Sequence, residues 1–410
     1  MKIIKVVAEN VPLFNEKIEI DFFAEGRVSQ DEKHELIHLF DKYYANRTLT
    51  FAGLNASGKT QVLNVLLMTF NILQAQSINY NPSLSLRNTI HNNMLHLEEG
   101  DTIKITVYFY VNSNLQKLCK LESHIARKFD NSLGEYKYYF VDESLMTKGI
   151  NGIRAKGQLF DFSHADSSTI QRQDQQQMFL GLSEDISIIQ VFYQLNHLDR
   201  FVYKDTLSLT NFNLIHNYSH LPIELIRYLD PSIEKLEFIQ NPETNAVKIK
   251  LKFFYSKSEI NLNSIIELSD VLSSGTIKGI SLFMTAFQML KQGGILVVDE
   301  LENHLNREIV STFLHFFLDR KRNPNGAVLI YSTHYSELLD IIQRNDSIYI
   351  MNKHESINIE KFSNLIKRND ISKSDIFVKG IINHTTPSYR LEHDLVRAVK
   401  SSYLGDVDGR

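Results

Sequence analysis

Eight consecutive residues, Gly53-Leu-Asn-Ala-Ser-Gly-Lys-Thr60, carry the densest chemical signal in the chain. They fit the pattern G-x-x-x-x-G-K-[S/T], in which glycines let the backbone curl until several N–H groups face one anion. Lys59 would reach the outer phosphates of a nucleotide as a point charge, and the Thr60 hydroxyl would be a ligand for Mg²⁺. A glycine-serine turn that merely caps a helix is the alternative. The flanks weigh against it: Leu49–Ala52 reads as a short strand, and Val62, Leu63, Leu66, Leu67 and Phe70 recur at helical spacing.

A second cluster closes the apolar run Ile295-Leu-Val-Val with two carboxylates, Asp299 and Glu300. Burying a carboxylate is costly unless a cation or donor compensates it. The ends of parallel strands are also where α/β sheets bind ligands. Asp299 is therefore expected to hold Mg²⁺ through water, and Glu300 to polarise an attacking water. An exposed Asp-Glu cap after a core strand has the same sequence, and only the phosphate loop tips the choice. Two smaller signals follow. Leu272-Ser-Ser-Gly-Thr276 puts a serine and a glycine at a helix start, a second anion-binding end. One sheet cannot easily aim both helix ends at one nucleotide, so this end is expected to serve a nucleotide on another subunit. Tyr331-Ser-Thr-His334 ends the next apolar strand with an imidazole, which could equally make a purely local hydrogen bond.

Strands and helices must hold these groups. Ile18, Ile20 and Phe22 alternate with acidic residues, and Ile103, Ile105, Val107, Phe109 and Val111 share one face of a strand. Residues 121–145 read as further antiparallel strands, clearest at Tyr136–Val141. The glutamine-rich stretch Ser163–Gln177 reads as a surface loop or a poorly ordered segment. Leu182, Ile186, Ile189, Tyr193 and Leu198 suggest an amphipathic helix, with more helix up to Asp230-Pro231. Val247–Tyr255 alternates as a strand. Helix 277–290, strand 295–298, helix 309–318 and strand 327–331 then alternate as in an open α/β sheet. Leu391, Leu395, Val399 and Tyr403 predict a closing helix, and no solenoid repeat is visible.

Composition sets limits. A length of 410 residues predicts two to three domains, and one cysteine, Cys119, excludes an intramolecular disulfide framework and multi-cysteine zinc sites. The balance of 44 basic and 48 acidic residues, net −4, removes the simplest case for nucleic-acid binding. Charges interrupt the first residues, and no apolar run approaches the ~20 residues of a spanning helix, so a cytoplasmic protein is expected, with no membrane partner.

The order of phosphate loop, Leu-Ser-Ser-Gly-Thr, acidic strand and Ser-Thr-His resembles the ABC-type ATPase heads. Among these it is most similar to the OLD-like and abortive-infection AAA ATPases of bacterial phage defence, relatives of the chromosome-maintenance and recombination ATPases. The resemblance covers roughly residues 1–110 and 245–345. It implies an α/β fold: a P-loop head with a mixed β-sheet and flanking helices, interrupted by a β-rich and helical insertion. The expected divisions are 1–112 and 246–345 for the two halves of the head, 113–245 for the insertion and 346–410 for a cap or docking segment. The 240 residues between Lys59 and Asp299 (299 − 59) leave room for that insertion.

In such heads two copies sandwich two ATP molecules. Carried over by motif, Asn55, Ala56, Ser57, Gly58, Lys59 and Thr60 would bind phosphates with Gln61 beside them, and Thr60 and Asp299 would meet Mg²⁺. Glu300 would be the catalytic glutamate and His334 the switch histidine. Ser273 and Gly275 would contact nucleotide in trans, and Asn303-His-Leu-Asn306 would form the inter-subunit loop. The glutamine loop has only Gln74 and Gln76 as candidates. OLD nucleases carry a nuclease domain after the ATPase; here 65 residues follow position 345 (410 − 345), with Asp370, Asp375 and Asp394 scattered along them. His384 and His393 lack metal-ligand spacing.

Three functions compete. The first is a homodimeric, or higher even-numbered, ATP-hydrolysing switch controlling a separate nuclease or toxin effector. The second is a repair or recombination ATPase that clamps DNA directly. The third is a low-turnover nucleotide-sensing scaffold holding a partner inactive. The intact Glu300 opposes the third. The lack of a heptad-rich arm and of net positive charge opposes the second, although Lys248, Lys250, Lys252 and Lys257 form a basic strip that otherwise reads as a solvated face.

Overall fold

The computed structural model describes all residues except 16, 80–96, 113–114, 133, 164–168, 174–181, 208–220, 241–246, 354, 367–370, 383–388 and 400–410. Its architecture is mixed α/β, built on two six-stranded sheets. The antiparallel sheet has the order β2-β1-β6-β7-β8-β9. It uses β1 (Lys2–Glu9), β2 (Ile18–Asp21), β6 (Thr102–Val111), β7 (Lys117–Asp130), β8 (Glu135–Gly149) and β9 (Ile170–Gln171). A hairpin of β3 (Leu36–Phe40) and β4 (Tyr43–Asn46) lies between β2 and β5 in the chain.

The other large sheet, order β10-β14-β15-β5-β16-β17, is parallel apart from its last strand. Its members are β5 (Thr48–Ala52), β10 (Tyr203–Asp205), β14 (Ile295–Val298), β15 (Val328–Thr333), β16 (Ile348–Lys353) and β17 (Ile357–Lys361). A three-stranded sheet of β11 (Ile233–Gln240), β12 (Val247–Phe253) and β13 (Ile260–Leu262) completes the set.

Among the described residues the α-helices of six residues or more are α1 (Lys59–Leu73), α2 (Ile189–Asn196), α3 (Ile223–Leu229), α4 (Ser274–Gln292), α5 (Arg307–Leu318), α6 (Lys373–Val378) and α7 (Tyr389–Val399). Alternation along β14 sorts them into layers, because successive side chains point to opposite faces. Ile295 and Val297 join a core with α1 and the antiparallel sheet, while Leu296 and Val298 join a core with α4 and α5. A third core packs the small sheet against α3 and the first turns of α4. A strand buried on both faces explains why residues 295–298 read as an unbroken apolar run.

Several expectations need correction. The glutamine-rich stretch was expected at the surface, yet Arg172 is 1% exposed and pairs with fully buried Glu143 at 2.8 Å. Glu143 also accepts from Ser123, Ser187 and the Ile188 N–H, so the charge is compensated on every side. Residues 164–168 and 174–177 of that stretch lie outside the described residues. Helix was expected to run on toward Asp230, but Tyr203–Asp205 is a strand, paired in parallel with β14 at the edge of the large sheet. Residues 113–245 thus supply β7, β8 and β9 to one large sheet and β10 to the other. The tail helix exists as α7, but Leu391, Leu395 and Val399 on it are exposed, so it closes no core among the described residues; Tyr403 lies outside them.

Candidate active site

Register brings the chemical groups to one sheet edge. Val298 lies opposite Tyr331, and Thr333 opposite Ala52, so Asp299, His334 and Gly53 all follow the C-terminal ends of adjacent strands. The turn from β5 into α1 passes through left-handed Ala56 (φ +60°) and Gly58 (φ +95°). A side chain at Gly58 would meet Ile357 at 2.7 Å, so both the dihedral and the space require glycine. No side chain caps α1, and its first intrahelical bonds begin at the Gln61 N–H, which leaves the N–H groups of Lys59 and Thr60 and the positive dipole end for an anion.

Thr60 Oγ1 donates to Asp299 Oδ2 at 2.8 Å, and Ser332 Oγ donates to the other Asp299 oxygen at 2.5 Å. Ser332 also accepts the N–H of Glu300 at 2.7 Å, so one hydroxyl ties the two acidic residues to β15. Glu300 itself is left-handed, φ +48°, a conformation that costs a non-glycine residue about 1–3 kcal/mol. Lys278 Nζ, from α4, donates to the Glu300 carbonyl at 3.0 Å and steadies that turn.

Lys59 Nζ donates to the carbonyls of Gly53 (2.9 Å) and Leu54 (2.8 Å) and lies 3.0 Å from His334 Nδ1. An ammonium cannot accept, so Nδ1 is the acceptor and the ring proton sits on Nε2. From there it is donated to Glu300 Oε1 at 3.3 Å. The His334 N–H donates to Glu302 Oε1 at 2.6 Å. Burial lowers the Lys59 pKa to about 8, against the opposing fields of Asp299, Glu302 and Glu300. Burial likewise lowers that of Lys278.

A hydroxyl and a carboxylate on hard oxygens suit Mg²⁺, which typically takes one or two protein ligands and completes its shell from water and phosphate. Thr60 and Asp299 fit that demand, and among the described residues no group of three or more His, Cys, Asp or Glu side chains offers a rival metal site. Asp370 and His384 of the tail lie outside the described residues.

The structure thus gathers Lys59, Thr60, Asp299, Glu300 and His334. It does not add Ser273 and Gly275 to them. Ser273 Oγ accepts the Thr276 N–H at 3.0 Å and caps α4, and Gly275 packs on the His304 carbonyl, where an added Cβ would lie 2.4 Å from the oxygen. Asn306 caps α5 through the N–H groups of Glu308 and Ile309. Gln74 and Gln76 follow the far end of α1, about 22 Å from Lys59 at 1.5 Å per residue, and do not reach the cluster. Lys252 of the basic strip bonds Glu234 at 2.9 Å and is neutralised locally.

Sequence reasoning missed three contributors: Ser332, Glu302 and Lys278. Ser332 stood inside a motif already singled out, Tyr331-Ser-Thr-His334, whereas Glu302 lay between the acidic pair Asp299-Glu300 and the stretch Asn303–Asn306 and belonged to neither. Lys278 gave no signal beyond lying one turn into a marked helix.

Parallel sheet, glycine loop opening α1 and acidic strand end define an AAA/ABC-like P-loop ATPase. The chain belongs to the family described as "AAA domain, putative AbiEii toxin, Type IV TA system", whose model matches residues 50–340. No curated protein matches the chain. Among the described residues no helix is long and apolar enough to cross a membrane.

Proposed function

We propose that this chain is an ATP-hydrolysing, dimeric nucleotide switch that controls a separately encoded nuclease or toxin, in the manner of the OLD-like and abortive-infection ATPases of phage defence. The observation that carries the reading is the convergence of Lys59, Thr60, Asp299, Glu300 and His334 beside the uncapped start of α1. The α1 N–H groups and the Lys59 ammonium hold the phosphates, with Asn55, Ala56, Ser57, Gly58 and Gln61 lining the loop. Thr60 and Asp299 would hold Mg²⁺, which would neutralise charge building on the phosphate oxygens. Glu300 orients the attacking water and takes its proton, and His334, bonded to both Lys59 and Glu300, senses the terminal phosphate. Ser273 and Gly275 meet the nucleotide of a second copy, so that ATP closes the pair and hydrolysis opens it.

The toxin and toxin–antitoxin system in the family's description support an effector partner. Glu300→Gln is expected to keep ATP binding while lowering turnover about 10²–10⁴-fold, and Lys59→Ala to lose binding. Binding is read by titration calorimetry and turnover by phosphate release. Wild-type turnover in Glu300→Gln would overturn the catalytic assignment.

A further inference from the structure

A second built recess lies at the opposite edge of the parallel sheet. β5 runs from Arg47, just before its first residue, to Gly53 at the phosphate loop, about 20 Å away at 3.3 Å per residue. Around the Arg47 end opens a cavity of about 440 Å³ lined by Lys2, Lys33, Arg47 and Arg320, with Tyr44 and Tyr110 on its wall. Among the described residues no carboxylate lines it, although the chain as a whole is net −4. Arg47 is 4% exposed, and among the described residues only one of its guanidinium donors is spent, Nη1 on the Asn323 carbonyl at 2.7 Å. Its Nε is buried with no acceptor among the described residues.

Lys2 lies alongside, its ammonium set among the carbonyls of Gly293, Asn325 and Gly326. Lys33 and Arg320 make no ion pair among the described residues. Asp319, the carboxylate whose field reaches Arg47, is already paired with Arg322 at 3.5 Å.

Cations gathered in a concave, partly buried place without counter-charge are unfavourable until an anion arrives. Burial first, and the neighbouring Arg320 second, lower the Arg47 pKa to about 10; burial and then Arg47 lower that of Lys2 to about 8. A guanidinium at the cavity wall with donors left over suits a phosphate oxygen, and aromatic walls suit a planar base. The volume is that of a small-ligand pocket. A nucleic-acid backbone, by contrast, lies across a surface and could not meet a guanidinium that is 4% exposed.

We infer that this recess binds a small phosphorylated anion, at a site separate from the phosphate loop.

The test uses the full chain carrying Lys59→Ala, so that the phosphate loop contributes least, titrated by calorimetry with inorganic pyrophosphate and with AMP. At least one probe is expected to bind at one site per chain, and Arg320→Glu or Lys33→Glu to weaken it about tenfold or more. AMP binding that also falls in Tyr44→Ala assigns a nucleotide, whereas binding of pyrophosphate alone assigns a free inorganic phosphate. Both reversals replace side chains without ion pairs, and an unchanged melting temperature confirms the fold. The inference is overturned if neither probe binds, or if both reversals leave affinity unchanged, as residual binding at the distant phosphate loop would. It is also overturned if duplex DNA binds and is lost on reversal while both small probes fail. Because the reversals sit at the far edge, ATP binding by chains with Lys59 intact reports separately on the proposed function.

Discussion

Lys278 illustrates how a residue without a motif can govern one that has it. Its ammonium donates to the carbonyl of Glu300, whose N–H is held by Ser332, so both sides of a left-handed peptide are fixed by side chains from other elements. Removing one support lets Glu300 relax toward a commoner dihedral and draws its carboxylate away from the position proposed for catalysis. Lys278→Met is expected to lower kcat about tenfold while ATP affinity stays within about twofold, and Lys278→Arg to restore most of the rate. Steady-state kinetics beside direct nucleotide titration separates these effects. A merely structural role would move affinity and melting temperature together. At this scale Lys59, Thr60, Asp299 and Glu300 were legible because each belongs to a contiguous pattern. Lys278 was not, since its partner is a backbone atom 22 residues away.

Among the elements, the long ones with one dominant period were readable. Lys59–Leu73 and Ile295–Val298 match their expected extents, because an amphipathic helix and a doubly buried strand write their environment into local sequence. Tyr203–Asp205 could not be read this way: three residues are too few for a period, and only β14 beside them makes them a strand. Arg172 was equally hidden. Its carboxylate partner lies 29 residues earlier, and together they fasten β8 to the segment that leads into α2. Burial raises the pKa of Glu143, against the stabilising field of Arg172. Arg172→Leu would leave that carboxylate buried without its cation, so a loss of about 3–5 kcal/mol is expected in urea unfolding.

At the scale of the whole molecule, Lys2 joins the two large sheets. It lies on β1, yet its ammonium is held by carbonyls that precede β14 and β15. Its folded pKa of about 8 lies below the ordinary value of 10.5, so between these limits the unfolded chain binds more protons and stability rises with pH. The slope of unfolding free energy against pH from 8 to 10 is expected to be more positive in the wild type than in Lys2→Met, as denaturant titrations at several pH values would record. Assembly is tested by mixing. A Lys59→Ala chain with a Ser273→Arg chain forms one composite site free of both changes if Ser273 serves its neighbour. Partial recovery of hydrolysis is expected, and none in verified mixed dimers would count against sharing across copies.

The sequence by itself determined the phosphate loop, the acidic strand end and the α/β alternation, since each is written in a few adjacent residues whose types admit little other chemistry. Tertiary structure alone decided which groups meet. Parallel pairing of β5, β15 and β14 brings Thr60 to Asp299 across 239 residues (299 − 60), and the strand order sets His334 between Lys59 and Glu300. It also decided where charge is left over, as at Arg47, whose surroundings come from segments near residues 2, 33 and 320. Local sequence encodes period and turn chemistry, whereas register, burial and the field at a site are sums over residues that only folding brings within reach.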